Sequence, residues 1–242
     1  MAEARCLVLG GSGHVGSAVV ERLARAGAQV AFTYHRQAQR AEEIARDSGA
    51  VAMPYDAADV APDFSRLWPG QPIDAVVQCI GTAGDPALYR LHEEGYAKFL
   101  ATTLEEWRAM QDITATSTFI ALKALAPRLA QPANVLVVGS IDGVKIVPAP
   151  VHYAAAKSAA AGMVRALAKA LGSRGVCVNM IALGILDGGV GALLSDTLRA
   201  QYIKHCSLGR LGRSAEVAEL VSWMALHNRY VSGQAIVLDG GL

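Results

Sequence analysis

Three polar side chains in the second half of the chain have the residue types and the spacing of a proton-transfer site. Tyr153 and Lys157 are four residues apart in a segment with a helical pattern, so their side chains share one helix face. Ser140 ends the apolar run before that helix, at the edge where open parallel sheets bind ligands. A nearby ammonium lowers the pKa of a phenol, and a serine hydroxyl can donate to a carbonyl oxygen that gains charge. These residues therefore predict a site for hydride transfer at a carbonyl group.

The elements that must position these side chains alternate along the whole chain. Strands are predicted at 6–10, 29–34, 50–55, 74–81, 134–140, 176–183 and 234–241. Helices are predicted at 17–26, 37–48, 103–130, 152–173 and 214–226. Continuous apolar runs are typical of strands that are covered on both faces. The sequence thus predicts one α/β domain over residues 1–242, a doubly wound parallel sheet of Rossmann type with helices on both faces.

A glycine-rich turn lies between the first predicted strand and the first predicted helix. Gly10, Gly13 and Gly16 have the spacing G-x-x-G-x-x-G, which lets backbone N–H groups approach a pyrophosphate. We expect a dinucleotide cofactor at this turn. Its other contacts are predicted to come from Ser12, His14 and Val15.

The end of the second predicted strand indicates which dinucleotide is preferred. An NAD site usually has an acidic residue there, to bind the ribose 2′-hydroxyl. Here Tyr34 is followed by His35 and Arg36. A guanidinium binds a 2′-phosphate through paired, charge-assisted hydrogen bonds. The sequence therefore favours NADPH.

The composition gives no indication of a nucleic-acid, membrane or metal partner. Of the 242 residues, 22 are Lys or Arg and 21 are Asp or Glu, so the charge gives no argument for a nucleic-acid or membrane partner. The four cysteines lack metal or disulfide spacing, and the histidines lack metal-ligand spacing. No signal segment or run of about 18 apolar residues is evident. We expect a cytoplasmic protein that binds no metal.

Over almost its whole length the chain resembles the short-chain dehydrogenase/reductase family. The resemblance rests on GGSGHVG at 10–16, on Ser140 with Tyr153-x-x-x-Lys157, on YDAAD at 55–59, and on the closing segment from 208 to 241. That closing segment is similar to β-ketoacyl-acyl-carrier-protein reductases. The resemblance implies a homotetramer. It also implies cofactor contacts at Asp56, Ala57, Gly81, Gly184 and Ile185, in addition to Tyr153 and Lys157.

Several positions depart from the family pattern. The family's catalytic Asn aligns with Thr114, whose hydroxyl we expect to hold a water of the proton relay. The sequence QCIG at 78–81 replaces NNAG and removes two asparagines that brace the neighbouring backbone. Gly188 stands where a Thr often contacts the cofactor carboxamide. The segment 82–104 is longer than usual, and residues 187–209 are predicted to form a substrate lid whose leucines either cover substrate or pack a helix.

These observations lead to an expected activity and its alternatives. We expect an NADPH-dependent ketone reductase that acts on a β-ketoacyl or polyketide-type substrate, carried as a thioester or on an acyl carrier protein. Arg128 and Arg174 are candidates for a basic rim that meets such a carrier. The alternatives are a reductase of a small free ketone, or a cofactor-binding sensor or structural subunit with little turnover. The intact set of Ser140, Tyr153 and Lys157 favours an enzyme.

Overall fold

Seven parallel strands form the centre of the structure. The computed structural model describes residues 3–82 and 95–242, so residues 83–94 of the segment 82–104 lie outside the described residues. The strands are β1 Arg5–Leu9, β2 Gln29–Tyr34, β3 Val51–Pro54, β4 Ile73–Gln78, β5 Leu129–Ser140, β6 Val176–Leu183 and β7 Ala235–Leu238. Their order is β3-β2-β1-β4-β5-β6-β7. All pairs are parallel, which confirms the predicted doubly wound sheet.

The strands are apolar along their length because both faces of the sheet are covered. All eight residues of β6 are buried. On β4, Val76 and its neighbour Val77 pack into two different hydrophobic clusters, as expected where successive side chains point to opposite faces. Burial on both faces therefore explains the continuous apolar runs of the sequence.

Eight α-helices lie within the part of the chain that is described. They are α1 His14–Arg25, α2 Ala38–Ser48, α3 Gly95–Ala101, α4 Leu104–Gln111, α5 Ser117–Leu125, α6 Val151–Leu171, α7 Asp196–His205 and α8 Ser214–His227. The sequence did not predict α3 or α7, and α7 lies within the predicted lid. Across residues 3–82 and 95–242, no helix combines the length and the hydropathy that a membrane span requires.

The prediction of one helix over 103–130 was wrong in its interior and at its end. A π-helical turn at Asp112–Thr116 separates α4 from α5. The hydroxyls of Ser117 and Thr118 at the start of α5 donate to the carbonyl groups of Ile113 and Thr114 in this turn, a pattern that competes with regular helical bonding. Pro127 lies in a 3-10 turn at Ala126–Arg128, and β5 begins at the next residue.

The register of the strands brings the loops after β1, β4, β5 and β6 to one edge of the sheet. Leu9 at the end of β1 pairs with Gln78 at the end of β4. Ser140 at the end of β5 pairs with Leu183 at the end of β6. The strand order reverses between β1 and β4, and ligands of such sheets bind outside the carboxyl ends of the strands at this point.

Candidate active site

The three residues predicted to transfer a proton lie together at this edge. Ser140, Tyr153 and Lys157 are each at most 8% exposed. The hydroxyls of Tyr153 and Ser140 are hydrogen-bonded, and the Lys157 ammonium lies 5.3 Å from the centre of the Tyr153 ring. The helical period of α6 and the end of β5 therefore place these side chains as predicted.

The protonation properties of the pair differ from the expectation. Burial raises the pKa of Tyr153 well above its ordinary value of 10.0, and the charge of Asp142 raises it further. The hydrogen bond with Ser140 lowers this pKa, but by less. Burial lowers the pKa of Lys157 to about 8, against the field of Asp142. The low phenol pKa that the sequence predicts is therefore not found in this arrangement, because burial of Tyr153 has the larger effect.

A cavity of about 830 Å³ opens beside these residues. Of the predicted site residues, those that line it are Gly13, His14, Val15, Gly16, Gly81, Ser140, Tyr153, Lys157, Gly184 and Ile185. From the predicted lid, Leu194, Leu198 and Tyr202 line the cavity and Leu193 does not. Two of the three leucines named in the predicted lid therefore line the cavity, and Leu193 does not.

The glycine-rich turn has the shape of an anion cradle. A Cβ atom on Gly16 would lie 2.2 Å from the carbonyl oxygen of Gly10, so only glycine permits this close approach of α1. Gly13 caps α1 and has no side chain, which leaves the first N–H groups of the helix for an anion. Gly10 and Ser12 shape the turn but do not line the cavity. The turn fits the pyrophosphate of a dinucleotide.

His14 fills a space that glycine residues of the lid leave open. A Cβ atom on Gly188 would lie 2.6 Å from the imidazole Cε1 atom, and Gly188 has a φ of 113°. Nε2 of His14 is buried without a hydrogen-bond partner among the described residues. His14 therefore joins the glycine-rich turn to the lid, in the place where Gly188 lacks a side chain.

The residues predicted to bind the far end of the cofactor lie beyond the cavity. Nε2 of His35 is 3.6 Å from the Asp56 carboxylate, and Arg36 is exposed just after β2. None of His35, Arg36, Asp56 and Ala57 lines the cavity. Arg40, four residues after Arg36, was not among the predicted site residues, and its guanidinium lies 3.4 Å from the Ser17 hydroxyl on α1.

The side chain of Gln78 compensates for the absent asparagines after β4. Its Oε1 accepts a hydrogen bond of 2.8 Å from the Ile80 backbone, and its Nε2 donates one of 2.8 Å to Thr118. Thr118 in turn donates to the Thr114 carbonyl at 2.7 Å. The longer amide thus braces the backbone before Gly81.

Thr114 lies in the π-helical turn and does not line the cavity. Its hydroxyl is 3.8 Å from the Met110 sulfur, and Met110 packs against Tyr153. A role of Thr114 in the proton relay stays a prediction.

The predicted basic rim is wrong. Arg128 and Arg174 directly precede β5 and β6 by one or two residues, so they lie at the amino ends of the strands, opposite the cavity. Arg128 donates to the carbonyl groups of Phe64, Leu67 and Trp68, and Arg174 donates to that of Ala126. Both guanidinium groups stabilise loops.

Sequence reasoning also missed Asp142. It lies in a 3-10 turn at Ile141–Gly143 directly after β5, lines the cavity, and accepts a hydrogen bond from Ser140. An acidic residue two positions after the serine at a strand end was the available signal. In the described part of the chain no cluster of three His, Cys, Asp or Glu residues could hold a metal ion.

Comparison with known proteins places this site in a family. A family model described as enoyl-(acyl carrier protein) reductase matches residues 12–242. The chain belongs to the short-chain dehydrogenase/reductase family. Its members are oxidoreductases, and Ser140, Tyr153 and Lys157 are this chain's version of the motif on which the resemblance rests.

Several individual proteins are similar to this chain over nearly its full length. A cyclic-di-GMP-binding biofilm dispersal mediator protein of Escherichia coli is 28% identical, over 97% of this chain and 94% of that protein. The 3-oxoacyl-[acyl-carrier-protein] reductase of the same organism is 28% identical, over 98% of this chain and 96% of that protein. A blue fluorescent protein from a metagenomic library was solved in complex with NADPH. It is 28% identical with a TM-score of 0.83, over 98% of this chain and 97% of that protein.

Proposed function

We propose that this protein reduces a ketone to a secondary alcohol with NADPH. The observation that carries the proposal is the contact of Tyr153 with Ser140 beside Lys157, on a cavity that continues to the glycine-rich turn. A reduced nicotinamide supplies the hydride when it is bound. The residues around it supply the proton and hold the carbonyl group.

Tyr153 is the proton donor in this proposal. Its raised pKa keeps the phenol protonated at neutral pH, and the developing alkoxide is basic enough to take that proton. Lys157 stabilises the phenolate that remains and binds the cofactor ribose. Ser140 orients the phenol and stabilises charge on the carbonyl oxygen.

The choice of NADPH rests on charge. The end of β2 has no acidic residue at 34–36, Arg36 is exposed there, and the exposed Arg40 contacts Ser17 in the first turn of α1. They can pair with a 2′-phosphate. The relative that was solved with NADPH supports this choice.

The relatives suggest which substrate to test first. The Escherichia coli relative is named for 3-oxoacyl groups on acyl carrier protein, so 3-oxoacyl thioesters are the first candidates. The relative named for cyclic-di-GMP and biofilm dispersal supports a second candidate, a nucleotide-binding regulator with little turnover. Titration with NADPH and with cyclic-di-GMP, together with turnover assays, separates these two functions.

One variant tests the proposed chemistry directly. We expect Tyr153→Phe to lower ketone reduction by about a hundred- to ten-thousandfold, because the proton donor is lost. The affinity of Tyr153→Phe for NADPH should change little. Lys157→Ala should instead weaken both NADPH binding and ketone reduction. Near-normal turnover of Tyr153→Phe would remove Tyr153 as the donor.

We infer that the protein assembles into a homotetramer, as the family resemblance implies. Large apolar side chains are exposed on α4, α5, α8 and β7, namely Leu104, Trp107, Phe119, Trp223 and Val237. Sedimentation equilibrium tests this inference against a chain mass of 25.3 kDa.

A further inference from the structure

Asp142 reaches the cavity because its turn packs tightly on α6. A Cβ atom on Gly143 would lie 2.7 Å from the backbone carbonyl group of Lys157, so glycine allows the turn at Ile141–Gly143 to contact the helix backbone. Among the cavity-lining residues that are described, Asp142 is the one with an acidic side chain. Its charge raises the pKa of both Tyr153 and Lys157, so the carboxylate field covers the reacting position.

The hydrogen bond between Ser140 and Asp142 limits what Ser140 can do for a substrate. Ser140 Oγ donates to Asp142 Oδ2. A serine hydroxyl has one hydrogen, so in this arrangement Ser140 accepts from Tyr153 and has no hydrogen for a carbonyl oxygen. The chain from Tyr153 through Ser140 ends on the carboxylate. A carbonyl group that is to receive hydrogen bonds from both hydroxyls must therefore free Ser140 from Asp142.

The chemistry of the substrate decides whether Ser140 is freed. A hydroxyl or ammonium group next to the reacting carbonyl can donate to Asp142 and take the place of Ser140, whose hydrogen then turns to the carbonyl oxygen. An acceptor at that place, such as an ether oxygen or a thioester carbonyl, meets a negative charge and leaves the hydrogen of Ser140 on Asp142. The group that pairs with Asp142 keeps its own proton throughout the reduction.

We propose that Asp142 selects ketones that carry a hydrogen-bond donor on the carbon next to the carbonyl, and thus that the substrates are α-hydroxy- or α-aminoketones. This inference rests on the proposed ketone reduction. It moves the expected substrate away from 3-oxoacyl thioesters. The lid adds apolar side chains, among them Leu194 and Leu198, and the polar side chains of Gln201, Tyr202 and His205 to the lining. Asp142 differs from all of these because it is acidic and bonded to Ser140, so it discriminates between donors and acceptors beside the carbonyl group.

The test compares ketones of matched shape with NADPH as reductant. Two of the ketones carry a hydrogen-bond donor next to the carbonyl group, namely 2-hydroxy-1-phenylethanone and 2-amino-1-phenylethanone. The third, 2-methoxy-1-phenylethanone, carries only an acceptor there. We expect the native protein to favour the hydroxyketone and the aminoketone over the methoxy ketone by at least about tenfold in kcat/KM, because hydrogen bonds to a charged acceptor are stronger than those between neutral groups. A 3-oxobutanoyl thioester should also be reduced less efficiently than the hydroxyketone.

Variants of Asp142 test whether this side chain causes the preference for the hydroxyketone. Asp142→Ala should bring the hydroxy-to-methoxy ratio close to one, and Asp142→Asn should keep part of it, because an amide oxygen still accepts. Asp47→Asn, an exposed carboxylate on α2, is the matched control and should keep the native ratio. A native protein that reduces the methoxy ketone equally well, or an unchanged ratio in Asp142→Ala, would overturn the proposal.

A binding measurement keeps the inference separate from the proposed function. If the native protein binds NADPH but reduces none of these ketones, the proposed function fails. The inference is then decided by ligand-observed NMR with 1-phenylethane-1,2-diol. We expect Asp142→Ala to raise the Kd of the diol at least about tenfold while the Kd of 2-methoxy-1-phenylethanol stays within twofold. Equal effects on both ligands would overturn it.

Discussion

The phenol oxygen of Tyr202 accepts a hydrogen bond of 2.8 Å from the backbone nitrogen of Ile185. Tyr202 belongs to α7 in the lid, and Ile185 belongs to the loop after β6. The phenol packs against Gly184, where an added Cβ atom would lie 2.3 Å from the oxygen. This bond ties the lid to the loop that lines the cavity.

We expect Tyr202→Phe to loosen the lid, because the Ile185 N–H group loses its acceptor at a cost of about 1–3 kcal/mol. Limited proteolysis between residues 187 and 209 should become faster, and KM for ketones should rise several-fold. Tyr230→Phe is the control, since Tyr230 is 99% exposed. Equal proteolysis of Tyr202→Phe and the native protein would show that the bond does not hold the lid.

The charge at the end of β2 predicts the cofactor preference. The native protein should bind NADPH more tightly than NADH, and Arg36→Asp should reduce or reverse this preference because a carboxylate repels a 2′-phosphate. Fluorescence titration with both nucleotides measures it. Arg46→Asp, on the exposed last turn of α2, should leave the ratio of the two affinities unchanged. A native protein that binds NADH equally well contradicts the assignment of Arg36.

The buried ammonium of Lys157 predicts a stability that depends on pH. Its pKa is about 8 in the folded protein, against an ordinary value of 10.5, so the unfolded chain binds more protons between these values. The contribution of Lys157 to the free energy of unfolding therefore rises as pH increases from about 8 to 10.5, by up to about 3 kcal/mol. Below pH 8 Lys157 is charged in both the folded and the unfolded chain, so the cost of burying its charge lowers the free energy of unfolding by the whole of this amount.

We accordingly expect Lys157→Met to be more stable than the native protein at pH 7, and the difference to vanish above pH 10.5. Urea unfolding at several pH values measures it. Lys169→Met, an exposed position on the same helix, should show no such pH-dependent difference. A variant that is less stable than the native protein at pH 7 would show that the ammonium stabilises the fold.

The predicted role of Thr114 in the proton relay has a separate test. Thr114→Val keeps the shape but removes the hydroxyl, and we expect turnover to fall about tenfold or more with little change in NADPH affinity. Met110→Leu controls for packing, because Met110 contacts the Thr114 hydroxyl and packs in one cluster with Tyr153. Unchanged turnover in Thr114→Val means that the relay does not use this residue.

Residues fixed by local periodicity could be predicted from the sequence. The four-residue spacing of Tyr153 and Lys157 on a helix, and the position of Ser140 at a strand end, determine where these side chains point. The glycine-rich turn is predictable for the same reason, since its spacing and its place between strand and helix define its conformation.

Features that depend on packing between distant segments could not be predicted. Asp142 reaches the cavity because Gly143 contacts the backbone of α6, and the sequence gives no measure of that approach. The direction of the Tyr153 pKa shift depends on its burial. Arg128 was placed on a rim by residue type alone, whereas its partners are carbonyl groups about 60 residues earlier in the chain.

The hydrogen bonds of Gln78 have an evolutionary consequence. The amide spans from the Ile80 backbone to the Thr118 hydroxyl, and both side chains are buried, so the Gln78 Nε2 group depends on Thr118 for its acceptor. Replacement of Thr118 by a residue without an acceptor leaves that buried amide group unpaired, so selection removes such a replacement while Gln78 is kept. Among homologues that carry Gln at the position of Gln78, we therefore expect covariation with a hydroxyl residue at the position of Thr118, and an aligned family would show it.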